Sequence, residues 1–177
     1  MLRTALLMLV PFVLVACDSG HRTTVTYAIS IHEGDVSGRT LTEDTHIDTD
    51  DDQWQAFLAA ARTELGEEPQ EFEVTSARVQ LDIAHSRGVA KLEELLVEEG
   101  ALFLQAGDNG AQVDIATFED PEGTAQLEVD TTGDELTQLN AAMLASDFRL
   151  GLRGITPKTR DSDFDATIRV TLDVVAR

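Results

Sequence analysis

Two runs of aspartate are the parts of the sequence that most resemble a chemical site. The first run contains Asp48, Asp50 and Asp52, and the second spans 161–165. Calcium takes about six to eight oxygen ligands from carboxylates and carbonyls, and weak sites of this kind occur in extracellular modules. Neither run has the layout of an EF-hand loop, because the glycine and the terminal glutamate of that loop are missing. The pattern therefore favours a helix cap and a turn, and Asp48, Asp50 and Asp52 are the candidate ligands if a metal binds.

Other motifs for catalysis or cofactor binding are absent from the sequence. It contains no HExxH, GxSxG, GxGxxG or P-loop pattern. The histidines share no ligand spacing and are interpreted as isolated surface residues. We therefore expect no cofactor and no enzymatic activity. The alternative is a hydrolase with dispersed carboxylates, which leave no sequence signature. The four histidines without a common ligand spacing are His21, His32, His46 and His85.

Strands are predicted where apolar and polar residues alternate with a period of two. The longest such segment runs from Phe164 to Val174, and Thr24–Ile31 shows the same alternation. The parity of the apolar residues changes between positions 72–74 and 79–83, which predicts a bulge near Ser76 and Ala77. Further strands are predicted at 101–105, 112–118, 125–129 and 148–153, with a turn at 107–110 and a hairpin connection through 154–162.

Three helices are predicted from apolar residues spaced three and four positions apart. The first carries Trp54 on its apolar face, ends at Gly66, and takes its N-cap from the aspartates at 50–52. The second covers 89–96 and ends before Gly100. The third begins at Asp134 and continues to Leu144.

The alternation also indicates how the strands pair. Strands in a buried parallel sheet read as continuous apolar runs, whereas these segments have a polar face, which is typical of antiparallel sheets. The sequence therefore predicts a mainly β protein of the α+β class, an antiparallel β-sandwich with about three peripheral helices. The alternative is a single antiparallel sheet with helices on one face.

The charge of the chain excludes some partners. The 177 residues include 13 Lys and Arg against 33 Asp and Glu, which gives a formal net charge of −20. Nucleic acid attracts basic surfaces to its phosphates, so we expect no nucleic-acid partner. A domain with this charge is also repelled by anionic lipid head groups.

The N-terminal segment differs from the remainder of the chain. Arg3 precedes an apolar run at 5–16 that is shorter than the about 20 residues of a membrane-spanning helix and is typical of a secretory signal peptide. The run ends in Leu14-Val15-Ala16-Cys17, which resembles the lipobox of bacterial lipoproteins. The resemblance implies cleavage before Cys17, a diacylglycerol on its sulfur and often an acyl chain, such as palmitate, on its new amino group.

The resemblance also implies a location. We expect an exported protein, anchored by lipid to a bacterial membrane and lying on its periplasmic face. Asp18 resembles the inner-membrane retention signal of enterobacterial lipoproteins, and the choice between inner and outer membrane stays open. The predicted boundaries are 1–16 for the signal peptide, 17–23 for a lipidated tether and 24–177 for one β-rich domain.

The expected function follows from these predictions. The chain is interpreted as a lipid-anchored envelope lipoprotein whose β-rich domain is a binding or structural module. Its partners are the membrane, through the lipid on Cys17, and an envelope protein or a small ligand. The alternatives are a calcium-dependent interaction or adhesion module, which would use the aspartate runs, and the hydrolase described above.

Overall fold

The computed structural model describes residues 20–119, 121, 124–129, 133–159 and 161–177. The predictions of a signal peptide, of lipid attachment at Cys17 and of a sorting signal at Asp18 lie outside the described residues. Within those residues, no helix is both long enough and apolar enough to cross a membrane.

Strands form most of the described chain, and three helices accompany them. In chain order the elements are β1 His21–His32, β2 Val36–Ser37, β3 Thr40–Ile47, α1 Asp52–Leu65, β4 Phe72–Leu81, β5 Val97–Ala106, β6 Gln112–Glu119, β7 Thr124–Val129, α2 Gly133–Leu136, α3 Asn140–Ala145, β8 Phe148–Ile155 and β9 Asp165–Ala176.

The strands form two antiparallel sheets. The first sheet has the order β1-β9-β4-β7 and the second has the order β6-β5-β8-β3-β2. Strand β7 joins them, because it pairs with β4 and, over two residue pairs, with β6. Apart from the short β2, each sheet has four strands, and most consecutive strands lie in opposite sheets. This is the double Greek key of a jelly roll. The predicted antiparallel β-sandwich is confirmed.

The connection between β8 and β9 differs from the prediction. A hairpin was predicted through 154–162, but β8 pairs with β3 and β5 whereas β9 pairs with β1 and β4. The segment therefore crosses from one sheet to the other, and the hairpin prediction is wrong. Alternation along a strand shows which face is buried, but it contains no information about the partner strand.

The inner faces of the two sheets enclose the hydrophobic core. In β9, Ile168 and Val170 are fully buried while Arg169 between them is exposed, as the alternation predicts. In β4, the register with β9 shifts between Val74 and Ser76, so the predicted bulge is confirmed. The bulge restores the apolar residues on both sides of it to the inner face.

Helix α1 closes the core beside β1. Asp51 accepts a hydrogen bond from the Trp54 N–H at 2.7 Å, and Gly66 ends the helix with a φ of 76°, a left-handed conformation that favours glycine.

Trp54 is buried against Phe57, Phe72 and Phe148, and its Nε1 donates to the carbonyl of Met143 at 2.8 Å. The first predicted helix is confirmed.

The same helix covers part of the outer edge of β1. Gln53 Oε1 accepts from the Thr26 N–H at 2.8 Å, and Gln53 Nε2 donates to the Thr26 carbonyl at 3.0 Å. Among the described strands β1 pairs with β9 alone, so these backbone groups face the open edge of the first sheet. The side-chain amide occupies the place that a neighbouring strand would take.

The other two predicted helices are shorter than expected. The segment at 89–96 forms only a 3-10 turn at Leu92–Glu94 before β5 begins. The third helix is divided into α2, a 3-10 turn at Thr137–Leu139 and α3. In the segment at 89–96, the apolar residues are buried nonetheless, since a turn followed by a strand also directs them inward.

The strand register defines two ends of the sandwich. Strand β1 begins at His21, within the predicted tether, next to the last residues of β9 and the first residue of β4. We call this the tether end. Strand β1 finishes at His32 beside Asp165, where the segments 33–39, 82–96 and 156–164 connect the strands. We call this the loop end.

Candidate functional site

The aspartates that are candidate metal ligands serve local structure. Asp48 accepts a hydrogen bond from the Asp50 N–H at 2.9 Å, and Asp51 caps α1. Asp52 is the first residue of that helix, where a carboxylate complements the helix dipole. Among the described residues, no three His, Cys, Asp or Glu side chains are grouped to hold a metal ion. The first aspartate run thus begins a helix.

All four histidines contact carboxylates, and these pairings were not predicted because the partners lie on segments that only the fold brings together or carry no motif. The His32 Nδ1 lies 2.8 Å from Asp165 Oδ1, and this hydrogen bond raises the pKa of His32. The other three nitrogen–oxygen distances are 2.6 Å for His21 with Glu64, 3.0 Å for His46 with Asp147 and 2.9 Å for His85 with Asp82.

A groove of about 790 Å³ lies on the outer face of the second sheet. Its lining includes Thr40, Glu99 and Ile155, which belong to three neighbouring strands. Strand β3 starts at Thr40, directly after the loop-end segment 33–39, and Thr40 pairs with Ile155 of β8. The groove is therefore at the loop end. Its remaining lining residues are Gly100, Ala101, Asp114, Thr117, Phe118, Glu119, Arg153 and Gly154.

Two carboxylates face each other across this groove. Glu99 of β5 and Glu119 of β6 are register partners in neighbouring antiparallel strands. Side chains in such positions have Cβ atoms about 4.5–5.5 Å apart, and like charges there are destabilising. Neither carboxylate has a hydrogen-bond or ion-pair partner within the described residues. Both are exposed, so the pair presents negative charge to a ligand.

The third carboxylate of the groove is compensated. Arg153 of β8 donates a hydrogen bond to Asp114 of β6. The two residues lie beside Phe103, which is only 2% exposed although it lies on the outer face. The Phe103 ring lies across Gly151 of the neighbouring strand, where an added Cβ would be 2.0 Å from the ring. This part of the outer face is closed and rigid.

The floor of the groove depends on a second glycine. A Cβ added to Gly100 would lie 2.1 Å from the Phe118 ring and 2.7 Å from the Arg153 carbonyl. Phe118 is the register partner of Gly100, and its ring lies over the glycine backbone. Any other residue at this position would push β5 away from its neighbours. The glycine thus allows β5 to lie close to Phe118 of β6 and to the backbone of β8.

A smaller groove of about 420 Å³ lies on the first sheet near the loop end. Asp82 lies between His85 Nδ1 at 2.9 Å and the guanidinium of Arg169 at 2.7 Å. Burial raises the pKa of Asp82, but the hydrogen bonds from His85 and Arg169 outweigh it and hold the pKa below its usual value. The charges in this groove are satisfied internally.

Comparison with known proteins gives no family for the chain. No protein-family model matches it, and no curated protein sequence matches it. Among solved structures, the chain is similar to the decameric BFDV capsid protein, with 13% identity, 89% of this chain and 98% of that chain covered, and a TM-score of 0.38.

Two further structural similarities are weaker. One is to the virus-like particle of the extra small virus of the giant freshwater prawn Macrobrachium rosenbergii, at 13% identity over 97% of this chain and 89% of that chain, with a TM-score of 0.24. The other is to Desmodium yellow mottle tymovirus, at 11% identity over 98% and 93%, with a TM-score of 0.23. TM-scores this low carry no argument about function, and the jelly-roll assignment rests on strand order alone.

The groove was not predicted from the sequence. Glu99 and Glu119 lie 20 positions apart, and only the register of β5 with β6 places them opposite each other. The strands at 101–105 and 112–118 and the turn at 107–110 are predicted from the sequence, and the hairpin of β5 and β6 is confirmed. Its bulge between Leu102 and Phe103 changes the register and leaves no sequence signal of its own.

Proposed function

We propose that the chain is an exported lipoprotein that is anchored through lipid on Cys17 and binds a cationic partner in the groove of the second sheet. The observation that carries the anchor is the sequence Leu14-Val15-Ala16-Cys17, which follows a short apolar run and precedes β1 by only a few residues. Each buried methylene of an acyl chain contributes about 0.8 kcal/mol, so two or three chains hold a protein firmly on a bilayer.

The charges of the groove indicate the class of partner. Arg153 neutralises Asp114, whereas Glu99 and Glu119 face each other without a counter-charge among the described residues. A lysine or arginine of a partner, or a small polyamine, would relieve the repulsion between the two carboxylates. A basic segment of another envelope protein fits this groove, and a nucleic acid does not, because its phosphates would meet carboxylates.

The facing carboxylates also bear on the hydrolase alternative. Glycosidases place two carboxyl groups about 5–10 Å apart, and the catalytic acid depends on burial to raise its pKa. Glu99 and Glu119 are exposed, and Phe118, the aromatic residue that lines the groove, is 8% exposed and gives no platform for a sugar. Binding without turnover is therefore the function that we propose for this groove.

The anchor is tested by changing its attachment point. Cys17→Ser removes the sulfur that would receive the lipid, so the variant is expected in the soluble fraction or as an uncleaved precursor. Detergent phase partitioning of wild type and variant measures this directly. Equal partitioning of both into the aqueous phase would contradict the lipoprotein proposal.

The groove is tested with a basic probe. A fluorescent octalysine peptide should bind the wild-type chain at low salt, and Glu99→Gln with Glu119→Gln should weaken binding about tenfold, since each exposed ion pair contributes up to about 1 kcal/mol. The matched control is Glu67→Gln with Asp161→Asn, which makes the same change of charge at exposed residues outside the groove.

This control pair distinguishes binding in the groove from a general attraction of the basic peptide to the acidic chain. If the control pair weakens binding as much as the groove pair, the peptide responds to net charge alone and the groove is not its site. Incubation of the wild type with chromogenic glycosides addresses the alternative function. Turnover that is lost in Glu119→Gln would favour the hydrolase.

A further inference from the structure

We propose that the anchored domain stands on its tether end and holds the groove about 35–40 Å from the lipid surface, so that it meets a partner in the aqueous space. This inference rests on the lipid anchor of the proposed function and extends it to the position of the binding groove. Three observations carry it, namely the length of β1, the position of the groove and the character of the surfaces.

The length of β1 sets the distance. The strand has 12 residues, from His21 at the tether end to His32 at the loop end. At about 3.3 Å per residue, it spans about 35–40 Å. His21 lies four positions after Cys17, and even a fully extended chain of four residue steps reaches only about 14 Å. The lipid is therefore held close to the tether end.

The position of the groove sets the direction. Thr40 and Ile155, which line the groove, pair with each other at the loop end of the second sheet. The lipid attachment point and the groove thus lie at opposite ends of the sandwich. When the tether end rests on the bilayer, the groove points away from the lipid.

The surfaces of the domain disfavour the alternative, in which a broad face lies on the bilayer. Within the described residues, the only large hydrophobic side chain that is exposed is Ile83, at 63%, and it lies near the loop end. A face-down orientation would therefore bury little apolar surface. It would also bring more of the 33 acidic residues within a Debye length, about 8 Å, of anionic head groups. Contact through one end brings a smaller part of the acidic surface close to the lipid than contact through a broad face does.

The experiment compares two label sites on the lipidated chain. Because the sulfur of Cys17 carries the lipid, a single introduced cysteine is the only free thiol. Ala60→Cys places a label on α1, one turn before Glu64, which contacts His21 at the tether end. Ala84→Cys places a label at the loop end. Both alanines are exposed, so the two variants are matched in chemistry and in accessibility.

Each variant carries an environment-independent fluorophore and is reconstituted into phosphatidylglycerol and phosphatidylethanolamine vesicles with nitroxide-labelled head groups. We expect strong quenching at Ala60→Cys and little at Ala84→Cys. Equal quenching at both sites, or stronger quenching at Ala84→Cys, would overturn the upright orientation while leaving the anchor intact. Flotation of the same samples separates the two proposals, because a chain that does not float with the vesicles refutes the anchor and this inference together.

Discussion

Both sheets carry a groove near the loop end, and the two grooves differ in how their charges are balanced. In the groove of the first sheet, Asp82 is held between His85 and Arg169. In the groove of the second sheet, Glu99 and Glu119 oppose each other, and the described residues supply no counter-charge. A group of charges that is already balanced stabilises the fold, whereas an unbalanced pair is available to a partner. The comparison locates the candidate site where like charges lie opposite each other.

The largest expected change in the free energy of unfolding tests whether the two sheets share one hydrophobic core that supports both grooves. Ile168 in β9 is fully buried between the sheets, so Ile168→Ala should lower the free energy of unfolding by about 2–5 kcal/mol. Thr171→Ala, on the outer face of the same strand, should change it by less than about 1 kcal/mol. Urea denaturation measures both variants. A neutral Ile168→Ala would show that the first sheet does not contribute to a common core.

A smaller effect is expected at the floor of the second groove. Gly100→Ala places a Cβ against the Phe118 ring and the Arg153 carbonyl, so we expect a loss of about 1–3 kcal/mol from overpacking. Gly34→Ala is the control, because an added Cβ there meets no atom within 4 Å. Thermal unfolding of the two variants checks the prediction. Equal melting temperatures would mean that β5, β6 and β8 do not pack as described.

The sharpest test of the comparison removes one carboxylate from each groove. Asp82→Asn should lower the melting temperature, because it takes a charge away from Arg169 and His85. Glu119→Gln should raise it slightly, since opposed like charges cost roughly 0.2–1 kcal/mol. Differential scanning calorimetry at low salt and at high salt measures both, and salt should reduce both changes. If Asp82→Asn and Glu119→Gln shift the melting temperature in the same direction, the two grooves do not differ in how their charges are balanced.

The smallest effect is a pH dependence at the side of the sandwich where β3 lies. Burial and the neighbouring carboxyl of Asp35 raise the pKa of Glu43. The folded chain therefore binds the proton of the Glu43 carboxyl more tightly than the unfolded chain does. The stabilisation of the fold that results is present below the usual glutamate pKa, and it is lost as the pH rises through the raised pKa of Glu43. Glu43→Gln should remove that loss and leave the variant relatively more stable near neutral pH. Unfolding curves recorded from pH 4 to pH 8 test this; a wild type and variant with parallel profiles would contradict it.

The sequence predicted those structural elements that depend on residues close together along the chain. The strand at the C-terminus, the bulge in β4 and the helix between Asp51 and Gly66 were all found, because alternation and capping are local signals. The helix predicted at 89–96 failed for the same reason. Its apolar spacing suits a helix, but β5 gains backbone pairing with β6 and β8 by beginning at Val97.

The candidate site depends on contacts between distant segments. Glu99 and Glu119 carry no motif, and their meeting requires the hairpin of β5 and β6 and its register. The aspartate runs were prominent in the sequence, yet Asp51 is explained by its helix cap. In this chain the conspicuous aspartate run begins a helix, whereas the candidate site arises from the pairing of β5 with β6.

The amide of Gln53 would matter on a crowded membrane, where the proposed lipid anchor would hold the chain. Lipoproteins confined to a surface meet one another far more often than free molecules do, and a 12-residue edge strand such as β1 would invite edge-to-edge aggregation. The two hydrogen bonds of Gln53 with Thr26 occupy the middle of that edge, and at its far end Asp35 accepts from the His32 N–H at 2.6 Å. An incoming strand would have to displace both side chains before it could pair along the full length of β1, so one glutamine and one aspartate make this edge a poor partner for a second copy.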